Sequence, residues 1–446
     1  MQANKKNKLL FLFFILCYFS TSKSNTTLVF RAGLESSNQF CGYDECRDIV
    51  PLGDIIFDDS CKNEEHKSLQ LKDIYLPSKV ASQGKITLAG PPTIFGIKTE
   101  HYYLAALADT SLNWQASIHD QRLLLEGGCY FTQEHEWLPS LYYFGFSIPF
   151  IKKSHSLLLE NLGGKIAFSA GSFVGIESTI QQFFSDANID FLDFFNRYVL
   201  IPKNLTYVPH DESIGFGDLL LIGILDWGGK WNGIEALQAS LRVTCPTGKR
   251  ESYDQLWPNH LGHGAWALDC QFSLQIHTKE IFYNPFLHCS LKLYAPFSEE
   301  RRVPQLATTF LDGTLPSRYS MHTIADFSEY DSTVNAFADS MFPMYLYRGI
   351  EFSTLIGNSL YLHKDKFKIG LFYKGCFTEA IKYRLVNKLN EEKKRISNAS
   401  YSHKMMVHLS YAPSDNIQYS SYISQQVSGK LTGREFLCGL SVVFKI

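Results

Sequence analysis

Two short stretches hold residues able to act as a general base. PNHLGHG carries His260 and His263, and SHS sets His155 against Ser156. Nucleophilic catalysis needs more than that: a base within hydrogen-bond reach of a hydroxyl, and a third group that orients the base. A hydrolase built into a strand would show His, Ser and Asn clustered together, whereas His263 is followed by Gly264 and Ala265. The histidines therefore read as turn and loop residues, and the chain is not expected to be an enzyme. Cys41 and Cys46 bracket GYDE with Cys61 nearby. In an oxidising compartment Cys41 and Cys46 are a candidate disulfide, with a pairing to Cys61 and free thiols as the alternatives. Cys129, Cys245, Cys270, Cys289 and Cys438 fall in apolar rows, where a thiol acts as a small hydrophobe. No set of residues has metal-ligand spacing, so neither a metal nor another cofactor is expected.

A different chemistry recurs along the chain: single charges at every second place, opposite an apolar row. In IEALQASLRVTC, Leu237, Ala239, Leu241 and Val243 oppose Gln238, Ser240, Arg242 and Thr244. AWALDCQFSLQIH sets Trp266, Leu268, Phe272 and Leu274 against Asp269, Gln271 and Ser273, and PFLHCSLKLYA sets Leu287, Leu291 and Leu293 against His288 and Lys292. Successive side chains of a strand point to opposite faces, so each segment has one greasy face and one wet face. The charges of the wet rows are Arg122, Glu126, Lys165, Arg242, Asp269, Lys292, Lys368, Lys374, Lys404 and His408. Lining a water-filled interior, they would tune which solutes pass. Cations outnumber Glu126 and Asp269 in that set, which points to a mild anion preference.

The elements that must hold these rows are strands, many of ten residues or more. That is close to the 9 to 11 residues of a tilted strand crossing a bilayer, and longer than the usual strand of ~5–6 residues. Before residue 172 the alternation suggests four: Leu112, Trp114, Ala116 and Ile118 on one face of the first, then strands around Leu123–Phe131, Tyr142–Phe150 and Leu162–Phe168. With the later segments the count reaches about 12 to 14. Three stretches break the rhythm. Residues 25–85 hold turn residues and charge and read as a small plug or periplasmic segment. Ile176–Leu200 has helical apolar spacing at Ile180, Phe183, Phe184 and Phe191, and Lys382–Ser397 reads as a charged helical or disordered loop.

Composition fits the same picture. Of 446 residues 14% are aromatic, which favours strands, and a formal net charge of -2 supplies no field for nucleic acid. MQANKKNK followed by LLFLFFILCYF and small residues describes a cleaved signal peptide over residues 1–24. No later window is apolar for the length of a spanning helix. A half-buried soluble sandwich also alternates, but strand length, aromatics at strand ends and mid-strand charges favour lipid. The expected fold is all-β: a transmembrane antiparallel barrel over residues 86–446, with short helices in its loops.

The run FGDLLLIGILDWGGKWNGIEALQASLRVTCPTGKRESYDQLWPNHLGHGAWALDCQFSLQIH resembles bacterial outer-membrane channels of the phenol-degradation MetA-pathway type, and more loosely the long-chain fatty-acid transporter family. The likeness is carried by Gly217-Asp218-Leu219, Pro246-Thr247-Gly248 and Leu261-Gly262-His263-Gly264. The Asn-Pro-Ala motif of fatty-acid transporters is not found. The resemblance implies a Gram-negative outer membrane and a porin-like passive channel for small solutes, apolar or aromatic compounds among them. A surface adhesin or purely structural barrel is the alternative. The chain ends on REFLCGLSVVFKI, in which Gly439, Val442 and Phe444 resemble the terminal signal read by the barrel assembly machinery, although Lys445 and Ile446 follow. The expected partners are thus the lipid bilayer, that machinery and small solutes.

Overall fold

The structure, a computed structural model, describes residues 26–44, 46–52, 113–132, 138–160, 200–201, 204–231, 233–250, 254–278, 284–302, 341–362, 366–386, 392–395 and 397–446. These form eighteen strands. In the first half they are β1 (Thr26–Tyr43), β2 (Ile49–Pro51), β3 (Asn113–Thr132), β4 (Leu141–Glu160), β5 (His210–Phe216), β6 (Leu219–Asp226), β7 (Ile234–Cys245), β8 (Ala267–Ile276) and β9 (Asn284–Tyr294). In the second half they are β10 (Phe297–Arg302), β11 (Met341–Tyr347), β12 (Glu351–Leu362), β13 (Phe367–Thr378), β14 (Lys382–Leu385), β15 (Lys394–Arg395), β16 (Ser400–Ser414), β17 (Ile417–Lys430) and β18 (Thr432–Lys445). Among the described residues no helix is long and apolar enough to cross a membrane.

Twelve of the strands, β1, β3, β4, β6, β7, β8, β9, β12, β13, β16, β17 and β18, follow one another antiparallel around a wall that closes when β18 pairs with β1. Closure runs to the last residue. The Leu28 N–H donates to the Ile446 carbonyl at 2.8 Å, and the Ile446 N–H donates back to the Leu28 carbonyl at 2.9 Å. Among the described residues each of the twelve strands thus has a wall neighbour on both sides, the arrangement a sheet in hydrocarbon requires. Lys445 and Ile446 thus continue the seam rather than forming a tail.

The connections differ at the two ends. At the end holding Thr26 and Lys445, β3–β4, β6–β7, β8–β9, β12–β13 and β16–β17 are joined by short turns; at the other, most connections are long. A second sheet, β10-β11-β14-β15, belongs to the long-connection end, with Met344, Leu346 and Tyr383 as its buried core.

Four expectations change. Residues 25–85 were expected outside the wall, yet Thr26–Tyr43 is a wall strand. Its alternation of Leu28, Phe30, Ala32 and Leu34 is masked by the charges Arg31 and Glu35 on its other row. The two strands expected between Leu112 and Phe131 are a single strand of 20 residues, β3, and Tyr142–Phe150 is the first half of another, β4. Lys382–Ser397 is not a helical or disordered loop in its described parts, since Lys382–Leu385 and Lys394–Arg395 pair as strands with Tyr383 turned into the small core. Cys41 is a free thiol on a wall strand and is not joined to Cys46 in the turn beyond it. The signal peptide, Lys165, the strand around Leu162–Phe168, Cys61 and the helical segment 176–199 lie outside the described residues.

Candidate functional site: the barrel interior

Register assigns every wall side chain to one of two faces. Phe144, Leu221, Leu241, Phe272, Leu291, Phe352, Ile356, Leu371, Val407, Ile423, Leu440 and Phe30 stand on the outer face, and all are exposed. An apolar band of this extent on a monomer marks contact with something other than water. The inner face is recognised because its side chains bridge strands that are not neighbours. Tyr422 on β17 donates to Glu35 on β1 at 2.6 Å across β18, and Lys404 on β16 pairs with Glu435 on β18 across β17. Tyr361 on β12 reaches Glu235 at 2.6 Å on the far side of β8 and β9. Only a concave surface brings such groups together.

Nine of the ten expected interior residues share this inner face: Arg122, Glu126, Arg242, Asp269, Lys292, Lys368, Lys374, Lys404 and His408. Arg242, Asp269, Lys292 and Glu351 lie directly opposite one another on four successive strands, alternating in sign around the wall. Arg31 adds a cation beside Glu126 at 3.9 Å. Glu35, Glu351 and Glu435 were not foreseen as interior groups. Glu351 sits 4.0 Å from Lys292 and Glu435 neutralises Lys404, so the excess of cations read from sequence is largely offset.

The tyrosines are a second feature that the sequence reading missed. Tyr143, Tyr294, Tyr361 and Tyr422 each donate a hydrogen bond to a carboxylate, of Glu126, Glu351, Glu235 and Glu35 respectively. Two of them lie flat along the wall over glycine. A Cβ at Gly439 would collide with the Tyr422 ring, and one at Gly128 or Gly145 with the Tyr143 ring. Gly439 therefore has a packing reason to be glycine, while Val442 and Phe444 face outward.

Along β3 and β4 the apolar row changes face. Up to Leu123 and Phe150 the outer row is apolar: Leu123 and Leu125 on β3, Phe144, Phe146, Ile148 and Phe150 on β4. Beyond that level the outer row becomes Gln121, His119, Lys152 and Ser154, and the inner row holds Ala116, Ile118, His155 and Leu157. Ala116, His155 and Leu157 are buried. Residues from the long connections cover them. Trp257 stacks on His155 with centroids 4.3 Å apart, Asn259 donates to the Lys153 carbonyl at 2.9 Å, and Tyr207 donates to the Leu157 carbonyl at 2.8 Å. His155, expected in a turn or loop, is instead on wall strand β4 and pairs with Asp211 at 3.5 Å, while Ser156 is on the opposite face and bonds Ser117 at 2.9 Å.

This cap is tied to the wall at one aspartate. Asp218 follows Gly217 where the alternation slips by one residue between β5 and β6. Its carboxylate accepts from the Gly248 N–H at 3.0 Å and the His263 N–H at 2.6 Å. Thr247 accepts from the Leu219 N–H and donates to the Gly217 carbonyl, and Gly248 and Gly262 meet so closely that a Cβ on either would clash. The three turn motifs that were separate in sequence are one clamp in the fold. Among the described residues no cluster of His, Cys, Asp and Glu could hold a metal ion.

No protein-family model matches the chain, and no curated protein matches it. Among solved structures, an outer membrane channel from Pseudomonas putida F1 is 10% identical, with 96% of this chain and 98% of that chain covered at a TM-score of 0.48. The transport unit of the autotransporter AIDA-I from Escherichia coli is 6% identical over 95% of this chain and 91% of that one, at a TM-score of 0.33. A Pseudomonas aeruginosa FadL homologue is 8% identical over 94% and 88%, at a TM-score of 0.27. At these values the residues themselves must carry the functional argument.

Proposed function

We propose that this protein is an outer-membrane channel that passes small solutes by passive diffusion along the barrel interior. The observation that carries the reading is the division of one closed wall into an apolar outer face and a charged inner face. Arg122, Glu126, Arg242, Asp269, Lys292, Lys368, Lys374, Lys404 and His408 line the path. Selectivity then rests on lumen width and on the arrangement of these charges. Residues 1–24 direct export and are cleaved, and the Gly439, Val442 and Phe444 pattern serves recognition by the assembly machinery. The groups that would make a hydrolase are accounted for otherwise: His155 is buried against Trp257, and Ser156 faces away from it.

Membrane fractionation, with unboiled and boiled samples on a denaturing gel and then planar-bilayer recording, tests this. A heat-dependent mobility shift in the outer-membrane fraction and stepwise conductance are expected. A soluble, unshifted protein would contradict the membrane barrel. A shifted barrel without conductance would favour a structural or adhesive role, for which the second sheet at the long-connection end would be the exposed element.

A further inference from the structure

Two adjoining rows on the inner face of β9, β12, β13 and β16 differ in chemistry. The first runs Phe286, Gly357, Phe372, Met406, and the second, two residues further along each strand, runs His288, Leu355, Lys374, Lys404. The first row is an aromatic shelf. Phe286 and Phe372 meet edge to face at 5.6 Å, and Phe372 lies over Gly357, where a Cβ would strike its ring. The second row is cationic. Lys374 and Lys404 are directly opposite, a placement that destabilises a sheet when the charges are alike. Glu435 neutralises Lys404 alone, and among the described residues no ion-pair or hydrogen-bond partner reaches Lys374. His288 joins the rows, its ring parallel to Phe286 with centroids 6.5 Å apart and its Nδ1 bonded to Ser273 at 2.7 Å.

An uncompensated lysine beside a second lysine calls for an anion, and the shelf one step away calls for a flat apolar group. Two residues of strand separate the rows by ~6.6–6.8 Å, about the length of a benzene ring bearing a carboxylate. We propose that this patch is a binding site for aromatic carboxylates, with the ring on the half-buried Phe286, which the buried Phe372 backs edge to face, and the carboxylate on Lys374. The proposal deepens the channel reading and rests on it for its role in transport, while the site itself is tested by binding alone.

Isothermal titration of the purified full chain in detergent, with benzoate, benzyl alcohol and acetate as probes, reads the site directly. Benzoate is expected to bind at least about tenfold more tightly than either the uncharged ring or the ringless anion, because each probe lacks one of the two contacts. Lys374→Gln is expected to weaken benzoate by about tenfold and leave benzyl alcohol unchanged. Its heat-dependent gel shift shows that the barrel is intact. Benzoate binding no tighter than acetate, or unchanged in Lys374→Gln, would overturn the proposal. Conductance without benzoate binding would remove this site and keep the channel; benzoate binding without conductance would keep the site and remove the channel.

Discussion

The two halves of β3 and β4 are built from the same kinds of residue with opposite addresses. In the half nearer Thr26 and Ile446, Phe144, Phe146, Ile148 and Phe150 point outward, while Glu126, Tyr143 and Ser147 point inward. In the other half Lys152 and Ser154 point outward, with Leu157 and His155 buried inward under Trp257 and Asn259. Strand geometry is continuous through the change, so the solvent has changed, not the fold. Hydrocarbon outside and water inside select one pattern; water outside and a packed protein cap inside select its mirror. The level of Leu123 and Phe150 therefore marks where the outer row of β3 and β4 turns from apolar to largely polar.

Substitutions in the two halves should therefore have unequal effects. The largest effect is expected from Leu157→Ala, since Leu157 is only 1% exposed beneath the cap and such truncations cost ~2–5 kcal/mol. Denaturant titration followed by Trp257 fluorescence would show the cap opening early while the barrel retains its gel shift. Next is a matched pair on the outer row. Phe146→Arg should cost ~2–4 kcal/mol if it meets the bilayer core, whereas Ser154→Arg should stay within ~0.5 kcal/mol as an ordinary surface change. Refolding into liposomes across a urea series would measure both. The smallest effect is at Lys152 and Glu212, which pair at 3.1 Å on the outer face of the capped half, both substantially exposed. Glu212→Gln should cost less than ~1 kcal/mol, and equilibrium unfolding should barely register it; a large loss there would place this pair in a low-dielectric setting.

The all-β barrel was legible because period-two alternation is a local signal, as in Arg242 against Leu241 and Val243. The first wall strand was not, because Arg31 and Glu35 look like loop charges until a concave face is available to receive them. The single strand β3 was read as two because its apolar row shifts phase near Asp120, a shift imposed by a cap drawn from residues about a hundred positions away. The Tyr422–Glu35 bond joins the two ends of the chain, and the Asp218 clamp gathers turns from 217, 248 and 263. Neither spacing leaves a mark in any window of sequence.

If the change of row reflects a change of solvent, the outer face meets lipid in one half and water in the other. Spin labels placed at positions 146 and 154 of the liposome-reconstituted protein, read by electron paramagnetic resonance, test it most directly. Position 146 should be relaxed chiefly by oxygen, which concentrates in hydrocarbon, and position 154 chiefly by a water-soluble nickel complex. Strong nickel relaxation at both positions would contradict the account, because the apolar band would then be facing water.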